Sequence, residues 1–321
     1  MTRYYQKDAA LGSEIALCIV SRSGETAANS ILRGLWRQLF QFERQFSRFL
    51  PGSELSLFNR NAGTKQLISS EFRAILLAAR GLGLETGGLF NPFILPALQA
   101  AGYDHSLVKG HETDIQDDHS RKSVVSVDHL EIGDDWARIP YGTALDLGGC
   151  GKGYLADQLA ATVEPSVDGY WFSLGGDIVV GGTNDDGRGW EIAIQKAGQD
   201  DRADIGTLRL SASGRHAVAS SGTGARHGIK AGRAWHHLID PRTLATAITD
   251  VQLATVADSS ALRADVLASC AVIVGSKESL KFLKQSGSDA ALVQFKNARD
   301  GVVEKHFGRG ISVDDRPADS L

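Results

Sequence analysis

The densest chemistry in the chain lies in Asp146-Leu147-Gly148-Gly149-Cys150-Gly151-Lys152-Gly153-Tyr154, which runs into Leu155-Ala156-Asp157. Glycines let backbone N–H groups close on a ligand, phosphate suits those groups, and the positive end of a following helix adds to the attraction. The spacing is neither that of a Walker A loop nor that of a Rossmann fingerprint. Asp146 stands where an acidic side chain can read a ribose or a base edge. The alternative for the whole block is a strand-to-helix turn with Lys152 in solvent.

A second cluster is Ala264-Asp265-Val266-Leu267-Ala268-Ser269. On a helix, Asp265 and Ser269 fall one turn apart on one face, so a carboxylate and a hydroxyl can meet at one point. Both are hard oxygen donors, and Mg2+ accepts such a partial shell when waters or phosphate oxygens complete it. Two polar residues on a solvated helix face would have the same spacing. A third cluster is Trp235-His236-His237-Leu238-Ile239-Asp240-Pro241. Adjacent strand residues point to opposite faces, so only one of the histidines can enter a given cleft, which argues against a paired-histidine zinc site. The histidine that does so is either a general acid or base or a ring held by a neighbouring carbonyl.

These residues need elements to hold them. Glu14 to Val20 is a short apolar run suited to a strand. From Ala28 to Phe49 the apolar residues recur at spacings of three and four, which predicts an amphipathic helix ending at Pro51-Gly52. Ser53 is placed to cap a short helical turn through Asn59, and a further helix is expected over Ser70 to Leu84. Strands are expected around Val124 to Val127 and Trp136 to Ile139, with the polar segment Lys109 to Ser123 as a loop before them. Gly151 to Val163 reads as a helix with Leu155, Leu159 and Val163 inward. Strands follow at 170–174, 177–181, 190–195, 207–210 and 216–220, and Ser259 to Val274 forms a helix stopped by Gly275. No repeat or linker divides the chain, so one mixed domain over 1–305 is expected, with 306–321 a loose tail.

Composition fits a packed, enzyme-sized globule: 321 residues, 42% hydrophobic and 22% charged. The net charge of −4 offers no cationic field for nucleic acid. Glycine is high, 36 of 321 residues, against an ordinary usage of about 7%. Cys18, Cys150 and Cys270 are too few and too scattered for a disulfide framework or a metal pair. No run approaches the ~20 apolar residues a membrane helix needs, and the N-terminus lacks a signal-peptide core. As written, the chain is expected in the cytoplasm, and in the periplasm if it is a processed or trimmed form.

Taken in order, the blocks resemble the ApbE family, the FAD:protein FMN transferases, from about Leu11 to Gly275. Ser47-Arg48-Phe49 with Ser53-Glu54-Leu55 and Asn59 is similar to the first family block, and Gly87 to Pro92 to its GG-F-D-P loop. Asp146 to Asp157 matches D-L-G-x-x-x-KGY-x-x-D. Leu174 to Asp177, Ser221-Gly222, His237 to Thr243 and Ala264 to Ser269 follow in sequence. The resemblance implies an α+β fold, sheets packed with helices around an FAD cleft between two lobes. It implies an enzyme that moves FMN from FAD to a threonine of an acceptor flavoprotein, releasing AMP, with Mg2+ as cofactor. Asp265, Ser269 and the carbonyl of Gly149 would be the metal ligands. Leu11, Phe49, Leu89, Phe90, Asn91, Asp146, Lys152 and Ile239 would line the FAD pocket, with His237 near the transferred phosphoryl group. Alternatives on the same site are an Mg2+-dependent FAD pyrophosphatase or an FAD-binding protein without turnover. The chain departs from the pattern in having Ser269 for Thr, Asn91 for Asp and Leu244 for Gly. At 244 the Cβ makes a left-handed path costly, so a different loop course is expected there.

Overall fold

The computed structural model describes residues 1–103, 124–198, 203–224, 226–230, 233–297 and 301–313. The polar segment 109–123 lies outside the described residues. The backbone of the molecule is an eight-stranded sheet whose strands follow one another in chain order. They are β1 (Thr2–Ala10), β2 (Ser13–Ser21), β3 (Gly169–Leu174), β4 (Asp177–Gly182), β5 (Arg215–Gly222), β6 (Val251–Asp258), β7 (Ala290–Asn297) and β8 (Gly301–Phe307). Every neighbouring pair is antiparallel. Helices enter as insertions: α1 (Glu25–Phe46), α2 (Glu54–Arg60), α3 (Ser70–Glu85), α4 (Leu95–Ala101) and α5 (Gly151–Val163) between β2 and β3, then α6 (Ala261–Val274) and α7 (Ser279–Gln285) between β6 and β7.

Alternation along β2 sorts its side chains between two cores. Ile15, Leu17 and Ile19 pack beneath α1 and α5 with Leu32, Leu39, Leu155 and Leu159. Val20 joins the other face, where Val180, Val218 and Leu292 meet Trp190, Ile192 and Ile194 of a three-stranded sheet, Trp190–Gln195, Asp204–Leu210 and Ile311–Val313. The alternation expected for Trp190 to Gln195 is present. α6 is buried nearly all round, since α5 covers one side while Leu267, Ala268 and Val272 face Leu283 and Val293.

Several expectations change. α1 stops at Phe46, because Ser47 turns extended, and Phe49 is released into the following turn. Val127 begins a short 3-10 turn, not a strand, and Trp136–Arg138 pairs instead with Glu131–Ile132 and Gln66–Leu67. Pairing also continues past residue 306, through Phe307 and again at Ile311–Val313. β1 carried no apolar alternation because it is an edge strand, with Arg3, Tyr5 and Lys7 on an exposed face. Leu244 takes the left-handed path after all, at φ 55°. Its N–H and that of Thr243 both donate to the Asp240 carbonyl, and its side chain packs against the cluster of Leu98 and Ile239. Those contacts offset the ~1–2 kcal/mol that a left-handed Cβ costs.

Candidate active site

The residues expected to bind flavin or metal, and His237, all line one cavity of about 630 Å³, whereas Asp157, His236 and Asp240 do not. Leu11 stands at the β1–β2 turn, Phe49 after α1, and Leu89, Phe90 and Asn91 after α3. Asp146, Gly149 and Lys152 come from the glycine block, His237 and Ile239 from the segment after β5, and Asp265 and Ser269 from α6.

The glycine block behaves as a turn delivering α5. One Asp146 oxygen accepts from the Gly148 N–H at 2.8 Å, and the other pairs with Arg48 Nε at 2.8 Å, both side chains being buried. Arg48 also donates to the Tyr103 carbonyl and lies over the Phe49 and Tyr103 rings, at 4.2 and 4.7 Å from their centroids. Tyr103 stacks in turn beside Trp235. The result is an aromatic wall braced by a buried ion pair. Lys152 is not in solvent: it pairs with buried Asp177, and burial lowers its pKa from the ordinary lysine value, with Asp265 opposing that shift.

Asp265 is the most exacting group. Oδ2 is buried without a hydrogen-bond partner. Burial raises the pKa of the carboxyl, while Lys152, Arg226 and the Gly153 N–H at the start of α5 favour its charged form. Ser269 Oγ lies 2.8 Å from Ser221 Oγ on β5. Of the two histidines, His236 is held by Nε2 on the Ala247 carbonyl at 3.0 Å, and His237 faces the cavity. Its Nδ1 sits 3.3 Å from the Arg226 carbonyl. A carbonyl only accepts, so the proton belongs on Nδ1 and the lone pair on Nε2. Burial, then Arg226, lowers the His237 pKa to about 3. The structure shows a ring held by a carbonyl and kept neutral by burial.

Asn91 is occupied within the protein. Oδ1 accepts from Phe93 N–H and Nδ2 donates to the Val125 carbonyl, a bond that an aspartate could not give. The three cysteines are buried and free, and burial raises the Cys150 thiol well above its usual range. Arg226, Ser221 and Tyr103 were not assigned roles from the sequence. Ser221 belongs to the recognised Ser221-Gly222 pair without a role of its own, but nothing in the local pattern marks Arg226, which follows β5 in irregular chain.

This is an antiparallel α+β fold whose cavity offers hard oxygen donors beside a glycine turn and a neutral imidazole. The ApbE family pattern matches residues 11–293, and the chain belongs to that family. It is 24% identical over 273 residues to the FAD:protein FMN transferase of Vibrio cholerae, covering 84% of this chain and 81% of the relative. It is 26% identical over 271 residues to that of Klebsiella pneumoniae, covering 82% and 76%. The fold is shared with the flavinyl transferase ApbE of Pseudomonas stutzeri, at TM-score 0.82 and 21% identity over 96% of this chain and 95% of the other. The ApbE protein of Thermotoga maritima superposes with TM-score 0.80 at 21% identity, over 98% and 97%.

Proposed function

We propose that this protein is an FAD:protein FMN transferase that moves FMN from FAD to a threonine hydroxyl of an acceptor flavoprotein, with AMP as the leaving group and Mg2+ as cofactor. The observation that carries the reading is the unpartnered buried oxygen of Asp265, which shares one cavity with Ser269, Gly149 and His237. A buried carboxylate oxygen without a donor is costly, and a divalent ion is the partner that removes the cost.

The donor set fits Mg2+. Asp265, the Ser269 hydroxyl and the Gly149 carbonyl are all hard oxygens, and among the described residues no group of three or more His, Cys, Asp or Glu forms a softer cage. A shell that incomplete suits an ion completed by waters and phosphate oxygens. When bound, Mg2+ supplies neutralisation of charge on the phosphate oxygens. The protein's own residues do the rest. The Gly148, Cys150 and Gly151 N–H groups are spent inside the turn and that of Gly153 supports Asp265, so the turn positions α5 beside the cavity, and the aromatic wall of Phe49 and Tyr103 would exclude water from a ring system laid against it. His237 Nε2 accepts the proton of the attacking threonine, an effect typically of about 10²- to 10⁴-fold.

Incubation with FAD, Mg2+ and a threonine-bearing acceptor, read by intact mass, tests the reading. The expected product is a covalent FMN adduct on the acceptor, abolished by chelator. Asp265→Ala should lose transfer while the protein still folds, since it removes a carboxyl with one buried, unpartnered oxygen. Free FMN plus AMP without adduct would make the protein a pyrophosphatase, and unchanged FAD would make it a binding protein.

A further inference from the structure

Cavity charges pair off unevenly. Asp146 is matched by Arg48 and Asp177 by Lys152, and Glu43 accepts from the Leu11 N–H. Arg44 is exposed, in the last turn of α1. Glu43 and Arg44, opposite in charge and adjacent on α1, cancel in the sum, which leaves Asp265 and Arg226. The fork of donors on Arg226 makes little use of the protein: among the described residues its guanidinium has one long contact, 3.5 Å to Ser13 Oγ, and lies 6.0 Å from the Tyr103 centroid. A half-buried guanidinium left this free is poised for an anion from outside the chain.

Building on the transferase reading, we propose that Arg226, rather than Lys152, is the side chain that recognises the substrate's diphosphate. Lys152 shares its charge with Asp177, which is only 3% exposed, so its attraction for a second anion is largely spent. Arg226 has no such partner among the described residues. With a divalent ion, Asp265 and Arg226 leave a net positive charge equal and opposite to that of a diphosphate diester, whereas Asp265 and the ion alone leave half of it uncompensated. Arg226 also ties recognition to chemistry. Its carbonyl accepts from the His237 N–H at 2.9 Å and holds the ring at Nδ1, so an anion drawn to the guanidinium is brought to the residue that orients the base.

The test compares flavins with and without phosphate. FAD and riboflavin binding are measured by fluorescence quenching on wild type, Arg226→Gln and Arg226→Lys, in Mg2+ and in chelator, with thermal midpoints recorded alongside. A charge-assisted bidentate contact predicts about 10- to 100-fold weaker FAD binding for Arg226→Gln with riboflavin unchanged, and partial recovery for Arg226→Lys. Equal losses for both flavins, or no loss for either, would overturn the proposal while leaving the transferase reading intact. If wild type fails to bind FAD at all, the transferase reading fails and this inference falls with it.

Discussion

Gly153→Ala sets two effects against each other where α5 crosses α6. Alanine is the better helix former, by about 1 kcal/mol in a helix interior and by less in the first turn, where Gly153 lies. A Cβ at 153, however, would lie 2.6 Å from the Ala261 carbonyl oxygen and 2.7 Å from Leu262 Cα. That is about 0.7 Å inside a close carbon–oxygen contact. Both obstacles are backbone, so no rotamer change relieves them, and the helices must part. Overpacking of this kind costs about 1–3 kcal/mol, or more when the backbone must move. The clash therefore outweighs the propensity gain, and a fall in thermal midpoint of roughly 2–5 °C is expected. The same displacement moves Asp265 and Ser269 away from Gly149, and a misplacement of about 1 Å can cost on the order of 10²-fold in rate. Thermal unfolding and a titration of transfer against Mg2+ provide the measurements. A variant that melts above wild type and needs no more Mg2+ would show that this crossing is not tight.

Two other perturbations probe how the site is held. The His237 imidazole, with its pKa lowered to about 3, should be neutral at pH 5 in NMR titration of the metal-free protein; an imidazole titrating near 6.5 would remove the argument for a standing base. Because the unfolded chain takes up this proton first, the stability His237 contributes is complete above about pH 6.5 and declines as pH falls toward 3. Asp157→Ala removes acceptors for Ser260 Oγ, Ala261 N–H and Leu262 N–H at 2.7, 2.9 and 3.1 Å. A cost of about 1–3 kcal/mol in denaturant unfolding is expected, with Asp157→Asn recovering part. An unchanged midpoint would mean that Ser260, which caps its own helix, suffices.

Periodic and glycine-marked features were legible because their physics is local. α5 and the Ser260-capped α6 depend on neighbours within a turn or two. What the sequence could not reveal depended on distant partners. β1 is a strand because β2 pairs with it, and Ile311–Val313 is one because Asp204–Leu210 offers an edge. Leu244 obeys a glycine's geometry because apolar contacts to the cluster of Leu98 and Ile239 make up the difference. In the site, the motif residues expected to bind flavin or metal reached the cavity, while Asp157 went to the start of α6. Their states did not follow from the motif: Asp146 and Lys152 are neutralised by Arg48 and Asp177, and only the fold shows which charges stay uncompensated.

The block from Asp146 to Asp157 gains a mechanical meaning from the same contacts. Its glycines turn the chain so that the start of α5 faces the cavity, Gly153 lets α6 approach its backbone, and Asp157 caps that second helix from the first. One stretch of sequence therefore fixes the position of Asp265, which lies far away along the chain. The rigidity is needed because the Asp265 carboxylate is held against its preference, with one oxygen buried and unpartnered. A looser helix pair would let water reach it or let it turn toward Lys152, and either relaxation would satisfy the carboxylate without a metal. Holding the two helices in register keeps that relief out of reach, and under the proposed function a divalent ion is the partner that would complete the carboxylate.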